Sequence, residues 1–454
     1  MFGRNLITIV ENMTFIKRLK KIFGFYEIQS LESVFTPTTA AKLNYISRSS
    51  IEDKVNRAIK IPGNQILLYG HSGSGKTTLI RNVLEKNNRN FIVTSCINGT
   101  TVNELIINAF DKLNPYYSSE STYKLSSKIS SNLKASYGKI EASLSSESSE
   151  ETSEKFVRVL PIQLTFERLG SFLGAAECVW VIEDFHKVPE EEKQKLSDIM
   201  KAFVDIANDF EKVKIVAIGA VATAREVVNY SPDIESRISE IPVPLLSENE
   251  IKEIITNGGE ILNVTFDKKL INDTIIYSNS LGSLCHQLCY SHCHQMGVNE
   301  TMKKNLLINS KVLNQSIEGY VSQKSDTFQQ KLDRALKQRK AKFENVRLIL
   351  NAFIDLKKDE VTYHEILAKI HLWEPEYPQS NLTVYLKPLT TNENDEIIRY
   401  DQNSGKYSFS DPFFKAFCAM ALEKIERDSD DINVTYIDVK LLMEKLGKII
   451  GETS

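Results

Sequence analysis

Cysteine is scarce in this sequence, six in 454 residues, and Cys96, Cys178, Cys285, Cys289, Cys293 and Cys418 form no paired framework. That excludes a small disulfide-stapled architecture and fits a reducing, cytoplasmic setting. No run approaches the roughly 18 to 20 apolar residues that a membrane-crossing helix needs, so no transmembrane segment is expected. The first residues, "MFGRNLITIVENMTFIKRLKKIFGF", alternate apolar and basic positions without a long apolar region and cleavage site, and do not read as an export signal. A charge surplus is missing too. The 56 basic and 59 acidic side chains leave a net −3, which confines any nucleic-acid contact to a local patch. What the chain has is length: with 42% hydrophobic and 25% charged residues it has a globular composition, and its size calls for two or three domains.

Four short apolar runs stand out: "QILLYG" (65–70), "NFIVTSC" (90–96), "CVWVIED" (178–184) and "KVKIVAIGA" (212–220). Runs of this length alternating with helical stretches predict a parallel sheet covered on both faces. The first leads into Gly70-His71-Ser72-Gly73-Ser74-Gly75-Lys76-Thr77, followed by Thr78. This is the P-loop pattern in its required place between strand and helix. The glycines let backbone N–H groups turn towards phosphate, the helix N-terminus adds partial positive charge, Lys76 reaches β- and γ-phosphates, and Thr77 can ligate Mg²⁺. ATP and Mg²⁺ are the cofactors expected. The third run ends in Glu183-Asp184, a carboxylate pair suited to a metal shell and a water nucleophile. The usual order is aspartate then glutamate; here it is exchanged, and by position Glu183 is assigned to the metal and Asp184 to the water.

The expected fold class is therefore α/β, a three-layer αβα P-loop NTPase core with a parallel sheet (35–246), followed by a helical lid (247–340) and a winged-helix-like domain (341–426). Residues 1–34 form an amino-terminal segment in which Phe15, Ile16, Leu19, Ile22 and Phe23 fall at helical spacing among lysines and arginine. That pattern suits a docked helix or a basic membrane-surface helix. More than a third of residues 118–153 are serine. Within them the alternations around Gly138-Lys139 predict a β-hairpin insertion (116–156) open to oligomer or partner contact. Ser247 with Glu250 predicts a capping box at the start of the lid. The stretch "KLDRALKQRKAKF" (331–343) reads as a solvated face or a phosphate contact. Three helices and the hairpin "IIRYD"/"KYSFS" predict the winged helix, whose third helix carries only Lys387 as a cation and contains Pro388. A protein-facing role is favoured over DNA reading. Residues 427–454 read as a strand and an amphipathic helix. Cys285, Cys289 and Cys293, interleaved with His286, His292 and His294, make a zinc site imaginable, but one helix face lacks the paired C-x-x-C spacing, and small buried thiols are preferred.

The P-loop, "VWVIEDFHKV", "KIVAIGA", "DIESRISEIPVPLL" and "LGSLCHQL" follow one another in an order that resembles AAA+ and STAND-type ATPases, and the trailing helices and hairpin resemble their origin-recognition-type and STAND branches. The resemblance covers about residues 35 to 425. It implies that "FTPTTAAKLNYISRSSIEDKV" closes over adenine with Arg48 in its box, and that Arg237 is an arginine finger reaching a neighbouring subunit's γ-phosphate, hence a homo-oligomer. Thr223 is a sensor candidate. Gly282 stands where the lid helix begins, but the arginine of motor-like members does not follow it. The function so implied is a slowly hydrolysing, nucleotide-dependent oligomerisation switch, bacterial regulatory or anti-phage, working with a separate effector protein. The alternative is an ATP-dependent DNA-binding loader of origin-recognition or transposition-regulator type.

Overall fold

The computed structural model of the protein describes residues 27–113, 165–220, 236–337, 342–391, 396–402 and 404–423. The expected amphipathic helix within 1–34, the hairpin 116–156, Thr223 and the tail 427–454 lie outside them. The chain divides into two compact units, residues 40–245 and residues 1–39 with 246–454. The first is close to the expected core. The second takes in residues 27–39, which the sequence reading divided between the amino-terminal segment and the core.

The unit 40–245 is built on five parallel strands, β1 (Gln65–Tyr69), β2 (Asn90–Ser95), β3 (Cys178–Glu183), β4 (Lys214–Gly219) and β5 (Ile238–Pro242), in the spatial order β2-β3-β4-β1-β5. Successive side chains of a strand point to opposite faces, and both faces are apolar. Ile66 and Leu68, Val179 and Val181, and Val216 and Ile218 pack with α1 (Ser49–Lys60) and α2 (Lys76–Lys86). Leu67, Trp180, Ile182, Ile215 and Ala217 pack on the other face with α3 (Val102–Leu113), α4 (Phe166–Ala175) and α5 (Glu190–Ile206). The result is a three-layer αβα core. Trp180, the largest fully buried side chain, keeps its polar edge satisfied by donating from Nε1 to Thr94 Oγ1 at 2.9 Å. Helix α4 lies close to the end of α5 and the segment after it because Gly170 leaves its space to Ile206 and Gly174 to Phe210.

In the second unit Ser247 caps α6 (Glu248–Leu262), with Glu250 closing the expected capping box at 2.7 Å from the Ser247 N–H. Helices α7 (Lys268–Ser278) and α8 (Gly282–Gln295) follow, then α9 (Leu313–Gln323) and α10 (Gln330–Leu336). Two three-residue strands that the sequence pattern did not predict, β6 (Val264–Phe266) and β7 (Leu306–Ile308), pair in parallel between them. Asp267 joins these pieces: one oxygen caps α7 through the Leu270 N–H and the other accepts from the Ser310 N–H. Residues 27–39 lie along these helices. The Leu31 N–H donates to Asn299 O, the Thr301 N–H to Gln29 O, and the Thr36 N–H to His286 Nδ1. The cysteines of α8 are buried free thiols. His292 sits between Thr274 Oγ1 and Ser316 Oγ, and the described residues contain no group of three or more His, Cys, Asp or Glu placed to hold a metal ion. Burial pushes His286 and His292 down to about 4, so both are neutral helix-packing groups.

The remaining residues form α11 (Asn345–Asp355), α12 (Tyr363–Trp373), α13 (Gln379–Leu389), an antiparallel sheet in the order β8 (Val361–Thr362), β10 (Lys406–Phe409), β9 (Ile398–Asp401), and a helix over 412–423. The three helices and the hairpin are at the expected places, and β8 is an addition. Pro388 falls in the last turn of α13, where the N–H it lacks disturbs only the end of the helix. Phe353, Phe409, Phe414 and Phe417 are its aromatic core. No described helix is long and apolar enough to cross a membrane.

Helix propensity and packing make opposite predictions at Gly174. An alanine gains about 1 kcal/mol in a free helix, but its Cβ would overlap the Phe210 ring. Gly174→Ala is expected to lower stability by about 1–3 kcal/mol, read as a fall in the urea midpoint; a rise would show that α4 is not in close contact with Phe210.

Candidate phosphate and metal site

The chain leaves β1 at Tyr69 and must reverse within six residues to start α2 at Lys76. Gly70, Gly73 and Gly75 take φ of +155°, +79° and +84°, conformations that side chains with a Cβ rarely adopt. At Gly70 a Cβ would also overlap the Val243 carbonyl oxygen, so the loop can lie against the end of β5 only with glycine there. Gly75 occupies the N-cap of α2 and offers no side-chain cap. The first N–H groups of that helix are left for an external acceptor, which is what an anion supplies. Ser74 Oγ is buried without a hydrogen-bond partner and faces the same turn. These features fit a phosphate.

Lys76 Nζ donates to the loop's own carbonyls, Gly70 O at 2.9 Å and His71 O at 2.7 Å. Burial lowers its pKa to about 8, against the opposing pull of the Asp184 carboxylate, and that pull brings the two residues into one site. Thr77 and Thr78 occupy the first turn of α2, and Ser72 is exposed on the loop. Arg48 enters from the other side: its guanidinium donates to Ser74 O (3.3 Å), Pro244 O (2.9 Å) and Leu245 O (3.3 Å). Arg48 thus laces the P-loop to the segment after β5. Its backbone N–H donates to Glu52 Oε1, which also accepts from Tyr45 and Ser47, while Lys86 pairs with Glu52 Oε2 at 2.9 Å. Burial would raise the Glu52 pKa, but the hydrogen bonds from Lys86, Ser47 and Tyr45 outweigh it and hold it low.

Glu183 ends β3, and Asp184 follows it in the left-handed region at φ +56°. The reversal of backbone direction sends the two carboxylates to different surroundings. Glu183, 18% exposed in its side chain, lies 3.6 Å from Arg81 Nη2 and accepts from Ser95 Oγ at 3.3 Å. Asp184, 48% exposed, pairs with Lys187 at 2.7 Å. Arg81 is four residues after Thr77, so the two share a helix face about 5–6 Å apart, and from that face Arg81 reaches Glu183. Glu183, Asp184 and Thr77 thus offer hard oxygen donors of the kind Mg²⁺ takes. Among these described groups, three cations (Lys76, Arg81, Lys187) against two carboxylates (Glu183, Asp184) sum to +1, suited to an anionic ligand.

Arg237 is not part of this group. Register pairs Ile238 with Gln65 and Pro242 with Tyr69, so Arg237 stands at the start of β5, one strand length or roughly 17 Å from the P-loop. It is exposed. Arg81 and Lys187 were missed from sequence. The available signals were the helical i, i+4 spacing from Thr77 and the i, i+3 spacing from Asp184, neither specific enough to read alone.

Residues 62–227 match a family model described as AAA domain. No curated protein matches the chain significantly. Among solved structures the chain is similar to the Walker-type ATPase PABY2304 of Pyrococcus abyssi (14% identity, 83% of this chain and 96% of that one, TM-score 0.46). It is similar also to the Cdc6p of Pyrobaculum aerophilum (13%, 88% and 98%, 0.38) and to the ORC2 protein of Aeropyrum pernix (10%, 89% and 99%, 0.45).

The pKa of Lys76 carries a pH prediction. A lysine at about 8 in the folded protein and 10.5 unfolded loses its proton first in the folded state. Without ligand, stability therefore rises with pH between those values, while binding of a phosphate anion, which needs the ammonium, weakens. ADP affinity measured by calorimetry is expected to fall by up to about tenfold per pH unit above pH 8, and Lys76→Met to be weak at every pH. A parental affinity unchanged from pH 7 to 9.5 would remove Lys76 from the site.

Proposed function

We propose that this chain, a P-loop NTPase of the AAA+ type over residues 62–227, binds Mg-ATP, hydrolyses it slowly and uses the bound nucleotide to control assembly with copies of itself. The observation that carries the reading is the separation of the site into two ends of one sheet. Lys76, Thr77, Glu183 and Asp184 lie at one end, and Arg237 lies a strand length away. An arginine so placed cannot serve its own P-loop, and its exposure suits it to a neighbour's. Assembly then completes the site.

In this reading the turn from Gly70 to Gly75 wraps the phosphates, Lys76 exchanges its loop carbonyls for phosphate oxygens, and Arg48 holds the loop in shape from behind. Thr77 and Glu183 hold the metal, and the more exposed Asp184 orients water. Mg²⁺, when bound, neutralises charge on the β- and γ-phosphates. The exchanged carboxylate order shortens the reach of the water-orienting group and supports slow turnover. The first turn of α8, Gly282-Ser283-Leu284-Cys285, carries no arginine, which supports a switch over a motor.

The carboxy-terminal module is proposed to be a winged helix that faces protein, an effector or partner. Its third helix offers Lys387 alone, and its hairpin cations are engaged, Lys406 with Glu360 and Arg399 with Glu396. DNA binding by phosphate contact would instead leave such cations free and make affinity fall steeply with salt. The reading is tested by sizing the chain with and without Mg-ATP, and by gel shifts at two salt concentrations. Oligomers that need ATP and not DNA support the switch; ATP-dependent, salt-steep DNA binding supports the loader. Arg237→Ala is expected to leave nucleotide binding intact and to lower turnover in the assembled state by about 10³-fold or more. Parental turnover would refute the role.

A further inference from the structure

Arg81 is a cation with no assigned role at the place where the proposed site takes a dication. Its Nη2 stands 3.6 Å from Glu183 Oε1, an ion pair beyond hydrogen-bonding range. Glu183 Oε1 and Arg81 Nε are both buried, and neither has a hydrogen-bond partner among the described residues. Glu183 Oε2 accepts from Ser95 Oγ, and Ser95 is the register partner of Glu183 on β2. One carboxylate oxygen is therefore anchored, while the other is held by charge alone with its lone pairs uncommitted. Buried carboxylate oxygens ordinarily find donors, so this arrangement calls for a reason.

Two requirements conflict at Glu183. A buried carboxylate oxygen without a nearby cation is costly. A guanidinium bonded in its full fork geometry would offset that cost but would occupy the oxygens that a metal needs. Arg81 meets the first requirement and avoids the second. Standing one helical turn beyond Thr77, it supplies charge from the side and leaves the Oε1 lone pairs open. A divalent cation arriving between Thr77 and Glu183 meets an available oxygen and, at the same time, a like-charged neighbour.

We propose that Arg81 is a resident counter-cation that holds the Glu183 carboxylate in place and competes with Mg²⁺ for it, so that it sets the metal concentration at which the site loads. Arg81 is a positioning residue. The proposal rests on the assignment of Glu183 to the metal shell. Because the two cations share one carboxylate, each weakens the other's hold by the same factor.

The test titrates MgCl₂ into the ADP-saturated full-length chain by calorimetry, with melting temperatures recorded alongside. Arg81→Ala is expected to bind Mg²⁺ about 5- to 10-fold more tightly than the parent. It should melt lower than the parent without metal and nucleotide, and recover most of that loss with Mg-ADP. Arg81→Lys, which keeps the charge, stays within about twofold of the parent; Arg81→Gln replaces the alanine variant if that one does not fold. Parental or weaker Mg²⁺ affinity in the neutral variants overturns the proposal. Glu183→Gln separates the two levels. If it lowers Mg²⁺ affinity by about tenfold or more while Arg81→Ala gives no gain, the metal assignment stands and the Arg81 proposal fails. If Glu183→Gln leaves Mg²⁺ affinity at the parental value, the metal assignment fails and the proposal with it.

Discussion

The approach of Gly70 to the Val243 carbonyl is the constraint on which the rest of the site depends. It sets how closely the P-loop lies to the end of β5, and it exists because one residue has no Cβ. Arg48 fixes the same contact from outside by donating to Ser74, Pro244 and Leu245. With the loop held at this depth, α2 starts without a side-chain cap, Lys76 folds over the carbonyls of Gly70 and His71, and Arg81 reaches the end of β3. A loop displaced outward would separate Thr77 from Glu183 while leaving every residue of the motif in the sequence.

Charge at this end of the sheet is arranged by pairing. Lys76 is held on two carbonyl oxygens, Glu183 beside Arg81, and Asp184 against Lys187. None of these contacts is a bidentate fork, so each group is placed without being locked to its partner. The left-handed backbone of Asp184 completes the arrangement by turning adjacent carboxylates into different neighbourhoods. Two residues that look equivalent in "IED" thus differ in exposure and in partners.

Much of this was legible. Both faces of a parallel sheet are covered, so its strands are written as continuous apolar runs, and all four such runs became strands. The capping box at Ser247 and Glu250 could be read because its partners are three residues apart. Strands β6, β7 and β8 were not legible, since two or three residues hold no periodicity. The attachment of residues 27–39 to the second unit was not legible either. It runs through backbone groups of Gln29, Leu31, Asn299 and Thr301, and peptide groups look alike in any sequence.

Local chemistry can be read from the chain because it depends on neighbours along the chain: glycine spacing for a phosphate turn, a lysine and threonine at the mouth of a helix, two carboxylates at the end of an apolar strand. By itself the sequence determined the P-loop turn, the layered α/β core and the residues proposed to meet phosphate and metal. Only the tertiary structure decided that Arg48 binds carbonyls, that Arg81 stands beside Glu183, and that Arg237 lies a strand length from the P-loop of its own chain. Those relations cross between segments tens to hundreds of residues apart, and strand order and register, which set them, come from packing the whole sheet.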